Sequence, residues 1–159
     1  MAEFSRYEIF ILLNQNRPLW LSHIDLSNMD LRGVDLSGLV AYEANFSNCD
    51  LRGADFRGAN LGGSNFQECN LVGADLSKAR LRGVDFRGSD LREANLAEAD
   101  LTDANLSLCN LVSANMGGVD LSGAILNGAD LSNSNLPDYK ILKASGLTGV
   151  IMPDGTIHP

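Results

Sequence analysis

The 159-residue chain holds only two histidines, three cysteines, four prolines and one tryptophan, and just 6% of it is aromatic. His23 and His158 stand near opposite ends, and no Cys-x-x-Cys, phosphate loop or nucleophile elbow is present, so the usual carriers of enzymatic chemistry are missing. No apolar run approaches the roughly 20 residues needed to cross a bilayer. Ile9–Leu13 is too short for a secretory core and follows Glu3 and Glu8 rather than a basic stretch, which predicts a cytoplasmic protein without membrane contact. The formal net charge of −8 opposes phosphate backbones, so direct nucleic-acid binding is not expected. A sustained hydrophobic period of 3.6 or 2 is also missing from the body of the chain, which removes long amphipathic helices and long alternating strands.

What the chain has is a period of five. Every fifth residue from Leu26 to Leu136 is large and apolar: of 23 such centres 17 are Leu, four are Phe46, Phe56, Phe66 and Phe86, one is Met116, and Ala41 alone departs. The residue two before most centres is small, as at Cys49, Ala54, Ser64 and Ala74, and the residue one before is Asp or Asn in 20 of the 23. Five fits neither helical nor strand periodicity, so the chain must turn once per repeat. In the extended part the small residue and the centre point one way and Asp/Asn the other, which defines an interior and an outer wall. The last two residues make the corner. Of the 23 final positions 11 are Gly and three more are Asn28, Asn48 and Asn133, residues that tolerate positive φ at the third position of a type II turn. At Glu93, Glu98 and Asp103 a type I turn is expected instead.

If each repeat forms one side of a square coil, four repeats close a turn, and stacked coils rise by about 4.8 Å each. Phe46, Phe66 and Phe86 would then share one interior column, and the repeats would make nearly six coils, a rod of about 28 Å. The units Ala54-Asp55-Phe56-Arg57-Gly58, Ala59-Asn60-Leu61-Gly62-Gly63 and Ala129-Asp130-Leu131-Ser132-Asn133 resemble those of the pentapeptide repeat family, over about residues 24–138. The resemblance implies an all-β fold, a right-handed quadrilateral parallel β-helix. Some members of the family mimic DNA and inhibit or protect type II topoisomerases such as DNA gyrase.

The ends break the pattern. Residues 1–23 are expected to form an N-terminal helical cap and linker: Ser5-Arg6-Tyr7-Glu8 has capping-box spacing, Phe4 and Ile9 can staple it, and Pro18 stops the helix. Trp20 is expected to pack at the joint with the first coil. Leu147, Met152 and Ile157 resume a spacing of five, one residue out of phase with Leu136, so residues 139–159 read as an insertion and a partial closing coil. The segment Ile151–His158 resembles the closing segment of cyanobacterial pentapeptide repeat proteins.

No catalytic, cofactor-binding or metal-binding residue is assigned. Cys49, Cys69 and Cys109 share one interior column, where packing is expected and a disulfide or metal site is the alternative. Asp35, Asp55 and Asp75 share an outer column, where hydrogen bonding to nearby N–H groups is expected and a hard cation is the alternative. Arg80, Arg82, Arg87 and Arg92 form a candidate basic patch, with an Arg80–Asp100 pair across coils as the plainer reading. Residues 94–138 carry six acids and no Lys or Arg, which is what a DNA-mimic reading would use. Leu39-Val40-Ala41-Tyr42-Glu43 breaks the regular wall, moving bulk to the small slot and Val40 outward. Leu108, Val112 and Ile125 place apolar side chains outside on neighbouring coils and are the candidate contacts for a protein partner, not identified by the sequence. The function expected is a non-enzymatic acidic scaffold for protein–protein interaction, monomeric or weakly dimeric.

Overall fold

The computed structural model describes Glu8 and residues 19–159. From Trp20 onward every fifth residue bridges in parallel to the residue 20 places further on, from Trp20–Val40 to Asn110–Asp130. Four bridges per 20 residues give a four-sided parallel coil. The outward residues of its first face are Trp20, Val40, Asn60, Arg80, Asp100 and Asp120; of the second, Asp25, Asn45, Asn65, Asp85, Asn105 and Ile125. Those of the third run from Asp30 through Asp90 to Asp130, and of the fourth from Asp35 through Asp75 to Asn115.

One rung shows why five residues suffice. The centre Leu71 donates its N–H to Asp90 O of the next coil (2.8 Å), Asp90 N–H returns to Cys69 O (2.9 Å), and Ala74 N–H closes the corner on Leu71 O (2.9 Å). The corner residue also takes part, Gly73 N–H reaching Arg92 O at 3.0 Å. Each repeat therefore satisfies most of its backbone groups against its neighbours and itself.

The corner chemistry corrects one expectation. Glu93, Glu98 and Asp103 do not make type I turns: their φ values are 58°, 59° and 58°, matching the 66° of Gly73. Stacking decides this, because each must aim its N–H at the next coil, Glu93 at Val112 O (3.1 Å) and Glu98 at Gly117 O (2.8 Å). Coil geometry overrides residue preference, at a cost of about 1–2 kcal/mol per non-glycine residue held there.

The interior is filled by the centres and small residues. Phe46 stacks on Phe66 with ring centroids 4.6 Å apart, Phe86 follows at 5.2 Å, and Phe56 meets Phe46 and Phe66 edge-on. Buried Ser64 and Ser89 donate to Ala41 O (2.7 Å) and Phe66 O (2.5 Å) of the preceding coil. At the irregular repeat Leu39 fills the small slot and Ala41 the centre, both fully buried, so a swap of volumes preserves the packing.

The repeat geometry is already present at Leu19–His23: Leu21 N–H donates to Val40 O (2.8 Å) and Val40 N–H to Leu19 O (2.9 Å). The expected helix before it lies outside the described residues, apart from Glu8. Trp20 does not pack at the joint: it holds an outward position and is 71% exposed, while Leu19 beside it is buried. At the other end a short helix, Asp138–Ile141, interrupts the coil. Two side chains there replace main-chain groups of the ladder. Asn135 Oδ1 accepts Met116 N–H (2.5 Å), and Lys140 Nζ donates to Val119 O (2.6 Å). The coil then resumes one residue out of phase, with Ile125 bridged to Gly146 and Asp130 to Ile151. Ile157 folds back antiparallel to Ile151, so the tail covers part of the last open edge.

Candidate functional site

The outer wall is built by the Asp/Asn residue of each repeat. Its Oδ1 accepts the N–H two residues on, as in Ser27 to Asp25 (3.0 Å), Ser77 to Asp75 (2.9 Å) and Thr102 to Asp100 (3.0 Å). That N–H faces outward at the start of the corner, so a short side-chain acceptor at this spacing completes the rung. The fourth face adds an amide chain: Asn135 donates to Asn115 (2.7 Å), Asn115 to Asn95 (2.9 Å) and Asn95 to Asp75 (3.2 Å). Asp35, Asp55 and Asp75 do share this column, each accepting hydrogen bonds from the residue two further on. Among the described residues no group of three or more His, Cys, Asp or Glu is placed to hold a metal ion.

A motif that the sequence reading missed governs the charge. In Asp-Leu/Phe-Arg units the two polar side chains point outward two residues apart, and the guanidinium folds back onto its own Asp in a two-pronged contact. Arg32–Asp30, Arg52–Asp50 and Arg92–Asp90 close at 2.6 Å, Arg57–Asp55 at 2.5 Å and Arg87–Asp85 at 2.7 Å. The Arg52 and Arg92 hydrogen bonds hold the carboxyls of Asp50 and Asp90 below the usual range. At Asp85 burial pushes upward, but hydrogen bonds from Arg87 and Gln67 outweigh it. These contacts weaken the candidate basic patch, since Arg87 and Arg92 are each paired within their own repeats. Arg82 reaches across to Asp103 (3.2 Å). Arg80 makes no ion pair with Asp100 among the described residues, although their backbones are bridged.

The three thiols are inert by position. Cys49, Cys69 and Cys109 are free and buried, and donate to Leu26 O (3.0 Å), Phe46 O (2.9 Å) and Phe86 O (2.9 Å). Burial pushes their pKa values up to about 11, 12 and 12, so they stay protonated. His23 lies 3.4 Å from Glu43 at the first coil, at the opposite end from His158.

Leu108, Val112 and Ile125 do not form one cluster. Leu108 stands at the corner between the second and third faces, 71% exposed with φ 60°, and its Cδ2 overhangs Gly128, where an added Cβ would lie 2.8 Å away. Ile125 faces outward on the second face of the next coil, against Gly146. Val112 is half-buried at the following corner, separated from Leu108 by the width of the third face. Leu108 and Ile125 thus flank one edge, and Val112 lies round it. The sequence reading also missed an aromatic surface on the first face. Exposed Trp20 bridges Val40, and Tyr42 lays its ring over Gly62 while its hydroxyl accepts from Asn60 Nδ2.

The geometry defines the class: a β-solenoid of five-residue repeats whose interior is mainly hydrocarbon and whose wall is largely hydrogen-bonded Asp and Asn. Models of the family match in overlapping stretches, a pentapeptide repeat region at residues 41–116 and pentapeptide repeats at 21–58 and 114–138. The chain belongs to the pentapeptide repeat family. A pentapeptide repeat protein of the Arabidopsis thaliana thylakoid lumen is 33% identical, with 82% of this chain and 85% of that one covered and a TM-score of 0.37. HetL, involved in heterocyst differentiation regulation in the cyanobacterium Nostoc sp. strain PCC 7120, is 26% identical over 88% of this chain and 92% of its own, with a TM-score of 0.45. The plasmid-mediated fluoroquinolone resistance protein QnrB1 is 23% identical over 82% and 78%, with a TM-score of 0.46. Comparison with curated proteins finds no match. No helix among the described residues is long and apolar enough to cross a membrane.

Proposed function

We propose that this pentapeptide repeat protein is a non-enzymatic cytoplasmic scaffold, monomeric or weakly dimeric, that holds a protein partner through Leu108, Val112 and Ile125. The observation that carries this reading is Leu108. It is a large apolar side chain that gains little burial, in a left-handed conformation that costs about 1–2 kcal/mol, at a corner where 11 of 23 repeats use Gly. Nothing in the fold's own stability requires Leu there. Replacing Leu108, Val112 and Ile125 by Ser should leave thermal unfolding nearly unchanged and abolish capture of a specific protein from lysate of the source organism. Capture that survives the triple change would refute the assignment.

A second reading, a DNA mimic acting on a type II topoisomerase, is favoured by one contrast. In the lower coils five Asp are each clasped by an Arg, whereas Glu98, Asp100, Asp120 and Asp130 have no basic residue within their own stretch, 94–138. The upper coils therefore present negative charge that is compensated less than in the lower coils, Asp103 meeting Arg82 and Asp120 lying near Lys140 and Lys143. A DNA gyrase supercoiling assay decides it: inhibition or protection supports mimicry, and no effect at high protein concentration removes it.

A further inference from the structure

We propose that the cleft at the C-terminal edge of the first face binds an oxyanion between Lys140 and Lys143. The cleft, of about 150 Å³, is lined by Gly118, Val119, Asp120, Leu121, Lys140 and Lys143. It lies where the ladder between coils is interrupted. Each centre on this face sends its N–H to the coil above, Leu81 to Asp100 O (2.8 Å) and Leu101 to Asp120 O (2.9 Å). Leu121, next in the series, has no such acceptor among the described residues, because the helix Asp138–Ile141 stands where the rung would be. The same holds at the corner. Glu98 N–H reaches Gly117 O (2.8 Å), whereas Gly118 N–H has no partner among the described residues.

The matching carbonyl is provided for, since Lys140 Nζ donates to Val119 O at 2.6 Å. The edge is therefore left with donors in excess. Lys140 and Lys143 are also the only Lys or Arg residues beyond Arg92, and both line this cleft. The ammonium of Lys140 keeps two further protons to give after its bond to Val119 O. Asp120 also lines the cleft: it accepts Ser122 N–H (3.0 Å) and Ser122 Oγ–H (2.7 Å), which with the charges of Lys143 and Lys140 hold its carboxyl below the usual range, but it makes no ion pair with either lysine among the described residues. Two backbone N–H groups without acceptors among the described residues and two lysines thus border one small concavity, and it is such concentrations of donors that hold anions. Phosphate and carboxylate share the required chemistry, charged oxygens that accept from several N–H donors at once. The site is on the other side of the coil from Leu108 and does not depend on the partner reading.

The test is an amide NMR titration of the full chain at constant ionic strength in chloride, with inorganic phosphate in one arm and acetate in the other. Saturable shifts of the Leu121 and Gly118 amides are expected, with affinity about tenfold lower in Lys143→Gln, the loss of one charged hydrogen bond. Lys143 is chosen because Lys140 also caps Val119 O, so the variant should keep its native spectrum. A response to phosphate alone assigns a phosphate-bearing ligand, and one to acetate alone a carboxylate. No saturable shift of either amide in both arms, or equal affinity in Lys143→Gln, overturns the site.

Discussion

Left-handed corners at Lys78, Glu93 and Glu98 give a prediction whose sign separates two accounts of the coil. All three have φ of 58–59°, and all three side chains are exposed. Holding a residue with a Cβ in this conformation costs about 1–2 kcal/mol. Glycine removes that cost but adds about 0.5–1 kcal/mol of unfolded-chain entropy. The lost surface contacts of exposed charged side chains count for little. The net gain is about 0.5 kcal/mol per site, or about 1.5 kcal/mol for the triple Lys78→Gly, Glu93→Gly, Glu98→Gly variant. For a domain of this size that corresponds to a melting temperature higher by about 3–6 °C. Thermal unfolding followed by circular dichroism, with a urea series to verify that the denaturant slope is unchanged, measures it. If the corners were type I turns, glycine would bring only its entropic cost and the triple variant would lose about 1.5–3 kcal/mol. A fall in melting temperature therefore refutes the claim that stacking forces these residues left-handed.

Leu71→Asp puts an unpaired charge at a fully buried centre of a middle coil and should abolish the cooperative transition; a folded variant with a native circular dichroism spectrum would contradict the packing described. Ser134→Ala should stabilise by about 1 kcal/mol, because Ser134 Oγ is buried without a partner while Ala54, Ala74, Ala94 and Ala114 fill its column; urea midpoints decide. The thiol pKa values, raised by burial, give stability that is complete below about pH 9 and is lost as pH rises toward 11–12. Denaturation midpoints should fall between pH 9 and 11, as the unfolded chain ionises near 9 and the folded one does not. A Cys49→Ser, Cys69→Ser, Cys109→Ser variant, copying Ser89 of the same column, should lose much of that fall.

How much the sequence reveals depends on whether a feature repeats. The five-residue period is written more than twenty times, so the interior column of Phe46, Phe66 and Phe86 and the outward Asp/Asn wall follow from spacing alone. Corner conformation does not, because it belongs to the stack: Glu93 turns left-handed for the sake of Val112 O, 19 residues away, and no local preference encodes that demand. Trp20 illustrates ambiguity of another kind. Leu19, Trp20 and Leu21 are all apolar, so pattern cannot say which one faces out; register with Val40 decides that it is the largest.

Charge is legible in the sequence, but distance along the chain groups it wrongly. Arg87 and Arg92 look like neighbours in a patch when bases are counted along the chain, yet each is two residues from an Asp on the same side of the backbone, and that contact is shorter than any ion pair between coils among the described residues. The rule is geometric: at one repeat per side, i and i+2 across a centre both point outward, so Asp-x-Arg closes on itself before it can meet another coil. The C-terminal edge is the opposite case. Asn135 Oδ1 and Lys140 Nζ each stand in for a main-chain group that the helix carried away, a substitution by single side chains that no repeat announces. Those two replacements cover one N–H and one C=O while the Gly118 and Leu121 N–H groups have no acceptor among the described residues, so the break in the repeat leaves, beside Lys140 and Lys143, the donors on which the proposed oxyanion site rests.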